Sequence, residues 1–388
     1  MKKTNHITLI GLGFAIMLLI SACSSKPESY IWSPYQDLNW EKIGHYDSEF
    51  HTHPGLGDEQ YDPHQTIDRY HAEGYQILAL AGHDYDIPSD HINTIYPWTR
   101  LAEIYEIIKD IENPTEDNKT YGQMANEPFQ NRDPVALNMI SVEGCEVSAP
   151  HHIVSLFNPL SQGAETEEET FQMIQDLGGI AYFAHPGRYI ERWGLTADWY
   201  VEKYLKFHCM IGQSVYNRID NHPGDREFFD KIVHILGHER PIWLFGEDDM
   251  HYETTLGWNR DVILLENFRP GSMHPEIPDG SAPDVKKALT NGYTYLWKPT
   301  EQYNKRAFNI VDMKFSNSEV TIVIDNPKEV NEIVWKTHNP VSDKTETVYR
   351  GYSISLSDIP EYSKFVRAEI AGDMGTIYTQ PFYIIHPD

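Results

Sequence analysis

The sequence predicts an α/β protein in which a large region of alternating strands and helices precedes a small β-rich region. Three observations lead to this expectation for the 388-residue chain. Residues 41–300 alternate short apolar runs with longer segments of helical periodicity. Residues 306–388 contain short β-branched and aromatic runs that are separated by turn residues. Fifteen of the 19 histidines fall between His45 and His251, which places candidate chemistry in the first region.

The composition is that of a globular and strongly acidic protein. Lys and Arg total 31 and Asp and Glu total 58, which gives a formal net charge of −27. A surface this acidic repels polyanions, so nucleic acid is not an expected partner. Three cysteines are too few for a disulfide scaffold. Cys145 lies in the apolar strand-like run Ile140–Val147, and we expect it and Cys209 to be buried thiols, although a disulfide between them stays open at this point.

The first residues have the pattern of an export signal. A pair of lysines precedes the apolar stretch Ile7–Ile20, which is too short to cross a bilayer of about 30 Å as a helix. The stretch runs into Leu-Ile-Ser-Ala-Cys23, which resembles a bacterial lipobox. This resemblance implies a signal peptide over residues 1–22, lipidation of Cys23 and a polar tether over residues 23–40. We therefore expect a protein anchored by lipid to the bacterial cell envelope, at the outer membrane where the cell has one. A plain signal peptide with an incidental cysteine is the alternative.

Residues 41–300 are expected to form a mostly parallel sheet with helices packed on it. The predicted buried strands include Ile77–Ala81, Ile180–Ala184 and Ile242–Phe245. The predicted helices include Leu101–Ile111, Glu165–Leu177 and Phe228–Leu236. Short buried strands of this kind often carry functional residues at their C-terminal ends.

Residues 306–388 are expected to form a small β-sandwich. Its predicted strands are Val320–Ile324, Ile333–Trp335, Val348–Leu356, Phe365–Ile370 and Ile377–Ile385. Residue types suited to catalysis are sparse in this region, so its expected role is packing, spacing or recognition.

The first candidate chemical motif is His51-Thr-His53. In a strand, residues two apart face the same side, so both imidazoles can approach one cation. Asp58 follows in a glycine-bearing turn. Taken alone, the two histidines are equally consistent with a solvated surface.

Further ligand-type residues follow along the chain at predicted strands. His83 directly follows one apolar run, and His152 begins another. Glu143 and Glu146 both lie in an apolar strand, where a carboxylate is costly unless it is paired or bound to metal. Because the two are three positions apart, they face opposite sides of a regular strand, and we expect Glu146 to point into the site.

Two more apolar runs end in ligand-type residues. His185-Pro-Gly follows one of them, and Glu247-Asp248-Asp249-Met-His251 ends the other. Three successive carboxylates repel one another unless a cation is present. The ordered recurrence of His, Asp and Glu at five strand ends predicts a metal centre.

The order and spacing of these motifs resemble the PHP (polymerase and histidinol phosphatase) superfamily of metal-dependent hydrolases, over roughly residues 44–260. The metal ligands that the resemblance implies are His51, His53, Asp58, His83, Glu146, His152, His185, Asp249 and His251. The resemblance also implies a distorted (β/α)7 barrel with a cluster of two or three divalent metals at the C-terminal ends of its strands. The sequence departs from the family pattern at Gly82, Ser214 and Glu247-Asp248, which puts substrate identity in doubt but not the ligand positions.

The resemblance implies a division of the ligands among the metals. His51, His53, Glu146 and Asp249 would hold one metal; Glu146 would bridge to a second, held by His152 and His185; Asp58, His83 and His251 would hold a third. Imidazole and carboxylate ligands together favour Zn, Mn or Fe. The implied nucleophile is a metal-bound water, with Asp249 and Glu146 as the bridging and orienting ligands.

Arg188 is the candidate substrate-binding residue, because a guanidinium so close to His185 could hold a phosphate or carboxylate. A surface arginine is an equal alternative, and Arg218 and Arg260 rank below it. The long segment 86–138 is either a lid over the site or a packed helix with a loop.

Three functions follow from this site. The first is a metal-dependent phosphoesterase that acts on a small-molecule or glycan-linked ester. The second is a hydrolase that uses the same metals on a carboxylic ester or carbamate. The third is a non-catalytic envelope protein that retains the metals for structure.

Overall fold

The computed structural model describes residues 29–55, 60–84, 97–113, 118–148, 150–272, 280–316 and 318–387. These residues have the mixed α/β structure that the sequence predicts. The predicted signal peptide, Cys23 and Asp58 lie outside the described residues. Within the described ranges, every helix is too short or too polar to pass through a membrane.

Each of the three predicted helical segments contains a helix: those predicted over 101–111 and 165–177 are shorter than expected, and the one predicted over 228–236 begins three residues earlier. In chain order they are α1 (Pro63–Ala72), α2 (Leu101–Ile108), α3 (Tyr121–Met124), α4 (Glu167–Asp176), α5 (Pro186–Trp193), α6 (Ala197–Lys206), α7 (Asp225–Leu236) and α8 (Ala282–Asn291). Helix α4 begins where it does because the Thr166 side chain accepts a hydrogen bond from the Glu169 amide. Three glutamates follow in its first turn, where negative charge is favourable.

The strands are short, and most of those before residue 300 are fully buried. In chain order they are β1 (Tyr30–Trp32), β2 (Gly44–Glu49), β3 (Ile77–Ala79), β4 (Ile140–Val142), β5 (Gly144–Val147), β6 (Ile153–Leu156), β7 (Ile180–Phe183), β8 (Met210–Asn217), β9 (Trp243–Glu247), β10 (Arg260–Leu265), β11 (Gly271–Ser272), β12 (Thr294–Pro299), β13 (Ile310–Phe315), β14 (Glu319–Ile324), β15 (Glu332–Asn339), β16 (Lys344–Arg350), β17 (Ser353–Ser355), β18 (Phe365–Gly372), β19 (Gly375–Thr379) and β20 (Phe382–Ile385). The single strand expected over residues 140–147 is interrupted at Glu143.

The strands that carry the predicted ligands are divided between two sheets. One sheet has the order β5-β6-β7-β8-β9, in which β7, β8 and β9 are parallel. In the other sheet β2, β3 and β4 are adjacent and parallel. Isolated bridges between Thr52 and Met250 and between His83 and Glu146 connect the two sheets. The ends of β2, β3, β5 and β9 therefore meet, while a closed (β/α)7 barrel stays a prediction.

The C-terminal strands continue the sheet of the first region. Strand β12 pairs with β10 on one side and with β19 on the other, both antiparallel. Strands β13, β14 and β17 form a separate layer, and an apolar cluster that includes Val320, Trp335 and Ile370 joins this layer to the large sheet. Two β layers thus share a core, but one of them runs across the predicted boundary near residue 300. The sandwich and the domain bounds stay predictions.

Cys145 and Cys209 are buried and form no disulfide with each other. Cys145 Sγ lies 3.5 Å from the carbonyl oxygen of Gly82, and Cys209 Sγ lies 3.3 Å from that of Phe171. The expectation of two buried thiols is confirmed, and the disulfide left open by the sequence is not formed.

Candidate metal centre

All the predicted metal ligands except Asp58 converge at the place where the strand ends meet. His51 and His53 follow β2, and His83 follows β3. Glu146 lies in β5 and His152 precedes β6; His185 follows β7, and Asp249 and His251 follow β9. His51, His53, Glu146, His185 and Asp249 are buried, whereas His83, His152 and His251 are partly exposed. One side of the cluster is therefore accessible to solvent.

The Glu146 carboxylate lies at the middle of this cluster. Its Oε1 is 2.6 Å from His152 Nδ1 and 3.2 Å from His51 Nε2. Its Oε2 is 2.7 Å from His83 Nδ1. His185 Nε2 lies 3.3 Å from Oε1. Both carboxylate oxygens are thus in contact with imidazole nitrogens, as expected for a carboxylate that can bridge two cations.

Asp249 contacts the histidines on the side of the cluster nearest to β9. Its Oδ1 lies 3.2 Å from His53 Nε2, 3.3 Å from His251 Nδ1 and 3.7 Å from His51 Nε2. A single carboxylate oxygen therefore faces three imidazoles.

The described residues contain four overlapping groups of three donors that could hold a metal ion. They are His51-His53-Asp249, His51-Glu146-His185, His83-Glu146-His152 and His53-His83-His251. The first group lies within the ligand set that the family resemblance implies for one metal, whereas the last group combines His83 and His251, implied for the third metal, with His53, implied for the first. His152 and His185 belong to separate groups here and share Glu146. The overlap leaves room for more than one cation, and the assignment of each ligand stays a prediction.

The orientation of His51 fits a metal ligand. Its Nδ1 lies 2.8 Å from Glu247 Oε2, and its Nε2 faces His53 Nε2 at 3.0 Å. A carboxylate that accepts the Nδ1 proton leaves the Nε2 lone pair free, and two such lone pairs repel each other unless a cation or proton lies between them. This donor set of imidazoles and carboxylates fits a divalent cation such as Zn, Mn or Fe.

Glu247 is a further candidate site residue, to which the sequence analysis assigned no role. Its Oε1 accepts hydrogen bonds from the His185 amide at 2.9 Å and from Ser214 Oγ at 2.9 Å. Asn217 Nδ2 donates to the same oxygen at 3.2 Å. Glu247 therefore joins His51, on one side of the cluster, to His185 on the other. Ser214, where the sequence departs from the family pattern, is part of this support.

The three successive carboxylates after β9 have three different environments. Glu247 holds His51, and Asp249 faces the cluster. Asp248 turns away and accepts hydrogen bonds from the amides of Gly257, Trp258 and Asn259 and from the Tyr70 hydroxyl. Burial raises the pKa of Asp248 to about 6. Backbone amides, rather than a shared cation, thus compensate this carboxylate, which corrects the expectation that a cation alone explains the run.

The electrostatics of the cluster favour cation binding. Burial raises the pKa of Glu146, but the imidazoles of His51 and His152 outweigh burial and hold it well below its usual range. Burial lowers the pKa of His51, but Glu146 and Glu247 outweigh burial and raise it well above its usual range. Burial and the neighbouring His251 hold the pKa of His53 well below its usual range. Protons and metal ions therefore compete for this site, so metal affinity should fall as the pH is lowered.

Three of the eight described non-glycine residues with positive φ lie at the candidate centre. His185, Arg218 and Asp249 have φ values of 32°, 55° and 44°, in the left-handed region that residues other than glycine avoid. Each costs on the order of 1–3 kcal/mol and persists only where the surroundings enforce it. The strained backbone conformations thus occur at residues that orient side chains toward the candidate centre.

The structure reverses the order in which the sequence ranked the arginines. The Arg188 side chain is exposed and lies beside the Tyr189 ring. Arg218 Nε donates to Asp249 Oδ2 at 3.1 Å, and its Nη2 lies 3.3 Å from His251 Nδ1. Arg260 is buried and pairs with Asp47 at 2.8 Å. Among the described arginines and lysines, Arg218 is the one that hydrogen-bonds candidate ligands.

The described part of segment 86–138 is packed against the body of the protein. Trp98, Tyr121 and Phe129 are buried in one apolar cluster, and the Tyr105 ring packs 5.2 Å from that of Phe129. Tyr96 lies outside the described residues. The packed-helix interpretation therefore fits this part better than a lid.

Comparison with known proteins gives distant structural likenesses. No family model matches the chain, and no curated protein is significantly similar to it. The chain is similar to a two-domain protein from Bacteroides vulgatus ATCC 8482 that contains a predicted PHP-like metal-dependent phosphoesterase. The identity is 16%, the match covers 92% of this chain and 99% of that chain, and the TM-score is 0.47. It is also similar to an amidohydrolase from Chromobacterium violaceum, with 15% identity, 53% and 88% coverage and a TM-score of 0.34.

The predicted PHP-like phosphoesterase in the first of these proteins is named after the same superfamily that the sequence motifs of this chain resemble. Because both TM-scores are below 0.5, the functional proposal depends on the side chains of this chain alone.

Proposed function

We propose that the protein is a metal-dependent hydrolase and that its substrate is a phosphate ester. The observation that carries the proposal is the convergence of buried and partly buried imidazoles from the strand ends on the Glu146 and Asp249 carboxylates. Divalent cations held there would supply an activated water and stabilise negative charge on the substrate. The chain's own residues supply the geometry: Glu247 fixes His51, and Glu146 lies between the donor groups.

Arg218 supports a phosphate ester as the substrate. Its Nε and Nη2 are engaged by Asp249 and His251, while its side chain remains 29% exposed. A partly exposed guanidinium beside the cluster could hold an anionic oxygen of the substrate. In a chain with net charge −27, a cation at this position is a specific feature of the site.

A carboxylic ester or carbamate hydrolase is the second candidate. The sparse supply of cations favours it, because only Arg218 among the described basic residues hydrogen-bonds the cluster and Arg188 is exposed. A phosphate monoester is usually bound by more than one cationic group, and a neutral ester needs none.

A hydrolysis panel on metal-loaded protein of residues 24–388 would test the proposal. The panel contains a phosphate monoester, a phosphodiester and an aryl carboxylic ester. Asp249→Asn removes one charge from the cluster, and Asp220→Asn, which breaks an ion pair with Arg226 outside it, is the matched control. Phosphate release that is lost only in Asp249→Asn supports a phosphoesterase. Activity on the carboxylic ester alone supports the second candidate. Metal-loaded protein that is inactive on all three contradicts both.

We also propose that the mature protein is anchored to the cell envelope by lipid at Cys23. The support is the sequence pattern of residues 1–23. Labelling of cells with a fatty-acid probe should mark the wild type and not Cys23→Ser. Equal labelling of the two proteins would contradict the anchor.

A further inference from the structure

Within the described residues, strand β9 pairs with another strand on one side only. It pairs with β8, and it is the last strand of the five-stranded sheet. Its contact with the β2 side begins beyond the strand itself, at the bridge between Thr52 and Met250. Peptide groups on the open edge of a buried strand must find other hydrogen-bond partners. Leu244 is 1% exposed, so water does not satisfy them.

Side chains from the C-terminal region supply these partners. Gln380 Oε1 accepts the Leu244 amide at 2.8 Å, and Gln380 Nε2 donates to the Leu244 carbonyl at 3.0 Å. One carboxamide thus makes both hydrogen bonds that a neighbouring strand would make. The Tyr383 hydroxyl lies 3.2 Å from the Ile242 amide and 3.4 Å from its carbonyl oxygen.

The same edge continues toward the candidate metal centre. Asp261 Oδ1 accepts the Gly246 amide at 3.0 Å. Side chains thus accept the backbone amides of Ile242, Leu244 and Gly246 along this edge. Residues of the C-terminal region accept the first two, and Asp261 of β10 accepts the third.

Gln380 is itself fixed in place. Its side chain is fully buried, and Nε2 also donates to Thr294 Oγ1 at 2.8 Å. Its backbone N–H donates to the Tyr35 hydroxyl at 2.9 Å. Leu244 lies three residues before Glu247, or about 10 Å along a strand. The ladder between β8 and β9 contains a register shift near Ser214 and Tyr216. A second anchor on β9 is therefore needed to fix where Glu247 and Asp249 lie.

We infer that Gln380 is a positioning residue for the metal centre, and that the C-terminal region acts as the missing neighbour of β9. This inference assigns the region a part in building the site, beyond packing, spacing or recognition. It holds whatever reaction the centre catalyses.

The test compares Gln380→Met with Thr379→Val in the full mature chain. Gln380→Met keeps the size of the side chain and removes both hydrogen bonds to Leu244. Thr379 Oγ1 accepts the Ala368 amide at 2.9 Å. Thr379→Val therefore also removes a buried hydrogen bond from a side chain to a backbone amide, at the neighbouring residue, but this bond lies between two C-terminal strands and does not reach β9. Hydrogen exchange of residues 242–249 and cobalt(II) binding, followed by its visible absorption, are measured for both variants.

We expect Gln380→Met to speed exchange across residues 242–249 about tenfold. Cobalt affinity should also weaken about tenfold, the scale for losing a residue that orients a ligand. Thr379→Val should leave both readouts as in the wild type. Unchanged exchange and affinity in Gln380→Met, or equal losses in both variants, would overturn the inference.

Tyr383→Phe keeps the test decisive if Gln380→Met does not fold. It removes only the hydroxyl that contacts Ile242, and it should speed exchange at residues 242–244 and weaken cobalt binding by a smaller factor. No change in either readout would contradict the inference. A wild type that binds no cobalt would contradict the proposed function instead, and the exchange measurement would still decide the role of Gln380.

Discussion

At the scale of single residues, the candidate centre is organised around the Glu146 carboxylate. Five histidines place a ring nitrogen within 3.4 Å of it. The sequence predicted that one of Glu143 and Glu146 points into the site, but it did so from a regular strand, which the structure interrupts at Glu143. It could not assign Glu247, because adjacent carboxylates in one run give no sign of which turns toward a histidine and which toward backbone amides.

Arg218 provides a first prediction at this scale. Arg218→Ala should lower kcat/KM for a phosphate ester by about 10- to 100-fold, because a hydrogen bond to a charged group contributes about 1.5–3 kcal/mol. Arg226→Ala is the control, since Arg226 pairs with Asp220 and stacks on Tyr216. Steady-state kinetics on both variants would check this. Equal kinetics for Arg218→Ala and wild type would contradict a role for Arg218 in binding the substrate.

Asp225 provides a second prediction, concerning pH. Burial raises the pKa of Asp225 to about 8, whereas an unfolded aspartate ionises near 3.9. Between these values the folded state binds more protons, so the free energy of unfolding falls as the pH rises and levels off above about 8. Asp225→Asn removes this dependence. The variant should gain stability over the wild type on the order of 4 kcal/mol between pH 5 and 8. Urea unfolding at several pH values measures it, and a constant difference would contradict it.

At the scale of secondary-structure elements, the sequence predicted strand ends better than strand neighbours. Apolar runs that stop at His83, His185 and Asp249 mark where buried strands end, and the structure has them there. The interruption at Glu143 was not predicted, because the apolar run continues on both sides of it. Nor did the sequence indicate that side chains, rather than a strand, cover the open edge of β9.

The contact between β8 and β9 gives a prediction at this scale. A Cβ atom on Gly212 would lie 2.0 Å from the Trp243 carbonyl oxygen, a contact that backbone cannot relieve without moving. Gly212→Ala should therefore destabilise the protein by at least about 2 kcal/mol and weaken metal binding through β9. Gly224→Ala is the control, since a Cβ there meets nothing within 4 Å. Thermal unfolding of both variants checks it, and equal melting temperatures would contradict it.

At the scale of the whole molecule, the region after residue 306 is built into the rest of the protein. Strand β19 pairs with β12, and Arg367 makes a buried bidentate ion pair with Asp230 of α7, at 2.7 and 2.9 Å. The sequence separated the two regions because their patterns differ. It could not predict that strands about 80 residues apart share a sheet, since periodicity identifies strands without identifying their neighbours.

Arg367 gives the prediction at this scale. Arg367→Met should cost about 3–5 kcal/mol, because it leaves the Asp230 carboxylate buried without its partner. The double variant Asp230→Leu/Arg367→Met should recover much of this loss, since well-packed apolar residues can replace a buried ion pair.

Urea unfolding followed by tryptophan fluorescence and by circular dichroism should give one shared transition. Two separate transitions would show that the C-terminal region unfolds independently and would contradict this account.

The central claim is that the ends of five strands form a site for more than one divalent cation. The most direct measurement is anomalous diffraction from crystals of the protein loaded with zinc or manganese. We expect at least two peaks within the donor groups, each about 2.0–2.2 Å from imidazole nitrogens or carboxylate oxygens, with one peak on either side of Glu146. No peak in the cluster, or metal bound only at the protein surface, would contradict the claim.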